Sequence, residues 1–269
     1  MSGYETIRYE KNEHVGTLTL ARPQKRNAQN PLMWRELAQL GTDLLADQSL
    51  RCLVVAGDGP SFSAGIDLVE GLGGIIADIA ARPPEARTVE DGLAVAGAFS
   101  WIPKLACPSV AAVQGHAYGA GLQLAIACDF RIFGQGAMVG LTETRYGILP
   151  DMGATVRLPR IVGDGHAREL ILLGEVIDAG QALRIGLANR VVEDTQLLAA
   201  AAEFGRRLAA QPPLAVQGAR RAIDAAWCRD PDASFRVAVE AQIRCLESDD
   251  FKEAARAMAA GRAPEWTGH

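Results

Sequence analysis

Along the first two thirds of the chain, short runs of β-branched residues alternate with longer stretches whose apolar residues recur every three or four positions. A period of two marks a strand with one covered face and a period near 3.6 marks a helix, so the alternation predicts an α/β fold. Strands are predicted at 14–20, where Val15, Thr17 and Thr19 alternate with smaller or apolar neighbours, and at 51–56, 109–114 and 130–133. Gly, Pro or Asp closes each run. Helices are predicted at 31–47, with Leu32, Leu37, Leu40, Leu44 and Leu45 on one face, and at 120–128, directly after a cluster of glycines.

Beyond Asp194 the pattern becomes wholly helical. Residues 195–210, 213–228 and 231–260 are rich in Ala, Leu, Arg and Glu, and the prolines of Pro212-Pro213 and Asp230-Pro231 set the breaks, because proline cannot continue the hydrogen-bonded ladder. The change divides the chain into a mixed core, residues 1–194, and a helical appendage, residues 195–269. Between them in character, the stretch from Gly71 to Pro84 reads as a mobile connection near a site or as a plain surface loop.

Composition narrows the function. A chain of 269 residues, 49% hydrophobic and 22% charged, buries a substantial core. A net charge of −5 supplies no basic field for a phosphate backbone, which argues against nucleic acid as a partner. No run approaches the length of a membrane span and the first ten residues lack an apolar signal core, so the expectation is a cytoplasmic protein with no membrane partner. The cysteines, Cys52, Cys107, Cys128, Cys228 and Cys245, are odd in number and form no CxxC pair, and the four histidines show no ligand spacing. Buried thiols are expected, and no metal.

Two segments carry candidate chemistry. In Gly57-Asp-Gly-Pro-Ser-Phe-Ser-Ala-Gly-Ile-Asp-Leu68, a strand ends in small residues, and Gly65 allows dihedral angles that would aim the amide of Ile66 into a cleft. A plain turn explains the same letters. In Gln114-Gly-His-Ala-Tyr-Gly-Ala-Gly-Leu-Gln-Leu-Ala-Ile-Ala-Cys-Asp129, a strand end meets a helix start, whose unpaired N–H groups attract negative charge. The spacing of Gly115, Gly119 and Gly121 fits neither nucleotide-binding glycine motif. What remains is an amide donor at Ala120 between glycines, or tight helix-to-sheet packing.

Taken together, 62–68 and 115–129 resemble the two oxyanion-hole segments of the crotonase (enoyl-CoA hydratase/isomerase) family. Arg22-Pro-Gln-Lys-Arg-Asn-Ala28 upstream, and 172–179 with 186–192 downstream, follow in that family's order. The resemblance implies a crotonase-like spiral of ββα units with a C-terminal helical oligomerisation region, assembled as trimers or dimers of trimers. It implies an acyl-CoA thioester substrate whose carbonyl oxygen is held by the amides of Ile66 and Ala120. Coenzyme A then belongs to the substrate, and no separate cofactor is expected. Ala28, Ala64, Gly65, Asp67, Leu68, Gly119 and Gln123 would line the CoA and acyl path, with Lys25 or Arg26 near the phosphates and Arg262 a candidate contact to a neighbouring subunit's nucleotide. Phe99 and Trp101 are candidate walls of the acyl pocket, or simple core residues. Each oxyanion donor is worth about 2.7–4 kcal/mol of transition-state stabilisation.

Hydratases of the family use two glutamates. Here the first position is Gln123, whose amide exchanges no proton near neutral pH, and the second is Glu143. Asp151 follows eight residues later, a Glu-then-Asp spacing that resembles the family's dienoyl-CoA isomerases. The expectation is therefore a double-bond isomerase in which Glu143 transfers the proton and Asp151 is its partner. Alternatives are an enoyl-CoA hydratase in which Asp151 replaces the missing glutamate, and a non-catalytic acyl-CoA or RNA binder. Glu143 would otherwise pair with Arg145 or Arg157, and Asp151 would otherwise cap a turn or helix. Substitution of Gln123 is expected to be mild.

Overall fold

The computed structural model describes residues 3–86, 88–227 and 231–269. Cys228 and Asp230 lie outside them. Among the described residues are nine strands: β1 (Ile7–Asn12), β2 (Val15–Leu20), β3 (Cys52–Gly57), β4 (Ser109–Val113), β5 (His116–Tyr118), β6 (Phe130–Gly134), β7 (Met138–Gly140), β8 (Val176–Asp178) and β9 (Arg190–Val192). The α-helices are α1 (Pro31–Ala46), α2 (Ala77–Ala81), α3 (Val89–Ala96), α4 (Ala120–Ala127), α5 (Ala154–Val162), α6 (Asp164–Leu173), α7 (Ala179–Arg184), α8 (Leu197–Ala209), α9 (Pro213–Ala225), α10 (Pro231–Glu247) and α11 (Asp249–Ala260). None of them is long and apolar enough to cross a membrane.

The strands form two sheets, in the orders β1-β2-β3-β4-β6-β9 and β5-β7-β8. In the larger sheet β1 is antiparallel to β2 and every other pair is parallel. The chain steps from one sheet to the other and returns through a helix: β4, β5, α4, then β6, β7, α5 and α6. This is the expected α/β spiral of ββα turns. Strands β3 and β4 are buried at every position, as parallel strands covered on both faces must be. Leu53, Val55, Ala111 and Val113 face the main core, while Cys52, Val54, Val110 and Ala112 face Leu197, Ala201 and Ala209 of α8.

Local chemistry explains the boundaries. Asn30 caps α1, its Oδ1 accepting from Met33 N at 3.0 Å, and Pro31 takes the first turn, where its missing N–H costs nothing. The buried face of α1 is Met33, Trp34, Leu37, Leu40 and Leu44; Leu45, expected on it, is 43% exposed. The single helix expected over 231–260 is divided at Ser248, whose Oγ accepts from Phe251 N and starts α11. The stretch from Gly71 to Pro84, expected as a mobile connection, instead lies largely in a π-helical run over Leu68–Ile76 followed by α2. Cys52, Cys107 and Cys128 are buried free thiols; burial pushes Cys107 and Cys128 up to about 12. Cys245 is only partly buried.

Candidate active site

The first candidate segment changes partners halfway along. Ser63 pairs with Ala117 of β5, donating from its N to His116 O at 2.9 Å and accepting from Tyr118 N at 3.1 Å. Three residues later Ile66 pairs with Gln29 on the opposite edge: Gln29 N donates to Gly65 O at 2.7 Å and Asp67 N to Gln29 O at 2.8 Å. In a parallel bridge of this kind the residue whose neighbours make the bonds turns its own N–H away from the partner, so Ile66 N–H points back toward the β5 side. Gly65 makes the switch with φ of 95°. A Cβ there would stand 2.6 Å from Tyr118 O and 3.8 Å from Ala120 N, which requires glycine and shows how closely the two segments approach.

Gly119 joins β5 to α4 with φ of 49° and ψ of −121°. Ala120 is the first residue of α4, so the helix offers its N–H no carbonyl. Among the described residues, neither Ile66 nor Ala120 donates its N–H to a protein acceptor. The structure thus brings two unsatisfied amides to one place, beside a helix start that favours negative charge.

Glu143 lies against this turn. It begins the 3₁₀ turn Glu143–Tyr146 after β7 and is 6% exposed. A Cβ on Gly119 would be 3.3 Å from Glu143 Oε1. Gln123 Nε2 donates to Oε1 at 2.8 Å, while Oε2 is buried with no partner. Gln123, itself 1% exposed, accepts from Ala154 N at the start of α5 through its Oε1 at 3.2 Å. Burial holds the Glu143 carboxyl above the usual carboxylate range, outweighing the Gln123 bond, and the charge of Asp151 adds to the rise. Asp151 is also raised, again chiefly by burial, although its residue is open to solvent on one side. Neither Arg145 nor Arg157 forms an ion pair with Glu143; Arg157 donates instead to Met152 O. Asp151 does not cap α5 either: it lies in the turn before that helix, whose N-cap is Gly153.

The surrounding candidates fall into two groups. Lys25 and Arg26 are exposed and, among the described residues, make no ion pair; Ala28 and Ala64 are half-buried, and Leu68 is exposed at the head of the π-helical run. Asp67 is engaged internally. Burial would raise its pKa, but the amides of Glu70 and Val69 and the guanidinium of Arg22 outweigh that and hold it low. Arg22 also donates to Ala28 O at 2.6 Å and to Glu70, tying the 22–30 loop to the segment that carries Ile66. Arg262 is paired within its own chain, to Glu253 at 2.6 Å. Phe99 and Trp101 belong to the core: Phe99 is fully buried, and the Trp101 indole donates to Ala98 O. Sequence reading passed over Gln29, Trp34 and Arg22, although the amide-rich run Asn27-Ala28-Gln29-Asn30 directly before a helix was a usable signal.

Unsatisfied main-chain donors beside a half-satisfied buried carboxylate are the mark of a catalytic cleft. Comparison with known proteins agrees. Residues 10–269 match the family model described as enoyl-CoA hydratase/isomerase. A crotonyl-CoA hydratase of Syntrophomonas wolfei is 35% identical over 251 residues, covering 93% of each chain. A short-chain-enoyl-CoA hydratase of Clostridium acetobutylicum is 33% identical over 93% of this chain and 92% of its own. The crystal structure of an enoyl-CoA hydratase from Bacillus anthracis superposes with a TM-score of 0.89 at 30% identity, covering 98% of this chain and all of that one. The chain belongs to the enoyl-CoA hydratase/isomerase, or crotonase, family, and is an enzyme of that family.

Proposed function

We propose that this enzyme moves a carbon–carbon double bond along the acyl chain of an unsaturated acyl-CoA thioester. The amides of Ile66 and Ala120 take the charge that develops on the thioester oxygen as the enolate forms, and Glu143 removes a proton from one carbon and returns it to another. Asp151 shares the proton traffic from the solvent side. The observation that carries this reading is Glu143 Oε2, buried, unpartnered and held beside the turn that exposes Ala120 N–H. Gln123 supports it by elimination. Its amide is committed at both ends, to Glu143 and to Ala154 N, and exchanges no proton, so Gln123 cannot supply the second acid or base. A double-bond shift moves a proton between two carbons, which Glu143 with Asp151 can carry; water addition by the two-glutamate route needs an acid and a base, and Gln123 can be neither. Coenzyme A enters as part of the substrate, with Lys25 and Arg26 free to meet its phosphates, and Ala28, Ala64, Asp67 and Leu68 along its path. Copies assemble as trimers or dimers of trimers through the C-terminal helices.

A second reading, hydration of a trans-2-enoyl-CoA with Asp151 in place of the second glutamate, is favoured by the names of the relatives. Crotonyl-CoA and a 3,5-dienoyl-CoA, supplied separately, distinguish the two. Isomerisation produces absorbance at longer wavelength from the dienoyl thioester and leaves crotonyl-CoA unchanged. Loss of the conjugated enoyl band of crotonyl-CoA would establish hydration instead, and tight binding of both without turnover would mark a non-catalytic acyl-CoA binder.

A further inference from the structure

Gln29 touches both halves of the amide pair. Its main chain bridges Ile66, with its N donating to Gly65 O and its carbonyl accepting from Asp67 N, at 2.7 and 2.8 Å. Its side chain reaches across to α4, where Nε2 donates to Ala120 O at 3.1 Å. The other end of the amide is fixed as well, because Trp34 Nε1 donates to Gln29 Oε1 at 3.0 Å. An indole N–H only donates and a peptide carbonyl only accepts, so the orientation of the amide follows from its two partners. The residue is completely buried, and no water competes for either bond.

We infer that Gln29 is the positioning residue that sets the Ile66 and Ala120 amides relative to each other. The inference rests on the reading of those two amides as thioester-oxygen donors. One residue clamps the peptide that ends in Ile66 N–H on one side and the first turn of α4 on the other. Trp34, on the adjacent turn of α1, locks the clamp from behind. The main-chain half survives substitution; the side-chain half does not. A side chain of equal length without the amide leaves Ala120 O short of one donor and the Trp34 indole without an acceptor. The first turn of α4 can then shift against the Gly65–Ile66 peptide. Donor placement matters at the ångström scale, because a displacement of about 1 Å in a reacting geometry costs on the order of 100-fold in rate.

Two substitutions test this, Gln29→Met, which keeps the volume, and Trp34→Phe, which frees only the back of the clamp. The readouts are kcat and KM with the turned-over thioester, thermal unfolding, and the infrared carbonyl stretch of bound butyryl-CoA labelled with ¹³C at the carbonyl. The expected result for Gln29→Met is a kcat lower by about 10- to 100-fold, KM little changed, and a carbonyl band returned part of the way to its free frequency. Trp34→Phe should move the same quantities the same way by less. Unaltered kcat and band position in Gln29→Met would overturn the role. If that variant does not fold, the same null result in Trp34→Phe overturns it. A carbonyl band that does not move when butyryl-CoA binds the unsubstituted enzyme would instead remove the amide reading itself, and this role with it.

Discussion

The spiral around β3 and β4 and the helices beyond α8 treat their apolar residues in opposite ways. In the spiral, Val54, Val55, Ala111 and Ala112 are covered on both faces, and α4 is buried along its whole length. In the C-terminal helices, Ile223, Ile243, Leu246, Phe251 and Met258 are 48–82% exposed. A recess of about 640 Å³ also lies there, between α9 and α10, and none of the candidate site residues lines it. This recess therefore does not coincide with the candidate chemistry. The close-packed region holds the two unsatisfied amides and the perturbed carboxylate, while the C-terminal region leaves large apolar side chains exposed.

The sharpest way to break this contrast is at Glu143. Glu143→Gln should reduce turnover by about 10²–10⁴-fold with acyl-CoA binding retained, measured by steady-state kinetics and calorimetry; full activity would remove Glu143 from the mechanism. The same variant carries a stability signature. Burial keeps Glu143 protonated to higher pH in the folded chain than in the unfolded one, so the folded state binds more protons between the two pKa values and loses stability as pH rises through that window. Glu143→Gln removes this loss, and its unfolding temperature should fall less than that of the unsubstituted protein as pH increases above the ordinary carboxylate range. Activity should rise with pH through the raised Glu143 value, since the base must be ionised.

Next in size is Gly65→Ala, which places a Cβ 2.6 Å from Tyr118 O at positive φ. It should destabilise the fold by about 1–3 kcal/mol and depress kcat, both read on one preparation. Gln123→Ala follows. Sequence alone suggested a mild effect, but the amide joins Glu143 to the start of α5, and roughly tenfold lower turnover is expected from a misplaced carboxylate. The smallest effect belongs to the open region. Ser248→Ala deletes the cap of α11 and should cost about 1 kcal/mol of stability with kcat unchanged, a result that would confirm how little the C-terminal helices touch the reaction. A large kcat loss there would dissolve the contrast between the regions.

The strand at 14–20 and the helix at 31–47 were legible because each buries a repeating face, and those at 51–56, 109–114 and 130–133, buried almost throughout, were legible as short apolar runs closed by Gly, Pro or Asp. The short strands β5, β7, β8 and β9 were not, since three residues carry no measurable period and their pairing depends on distant partners such as Met138 and Asp178. The break at Ser248 was hidden in an unbroken helical composition, where one capping serine outweighs propensity.

By itself, the sequence determined the α/β class, the helical end of the chain and the glycines beside Ile66 and Ala120. These are local facts of residue type and spacing. Only the tertiary structure decided that Glu143 answers to Gln123 rather than to an arginine, that Asp67 is held by Arg22, that Phe99 and Trp101 are core, and that Gln29 spans the two amide segments. The reason is that hydrogen-bond partners in this fold are separated by tens of residues, and a buried polar atom is defined by what surrounds it in space rather than by its neighbours along the chain.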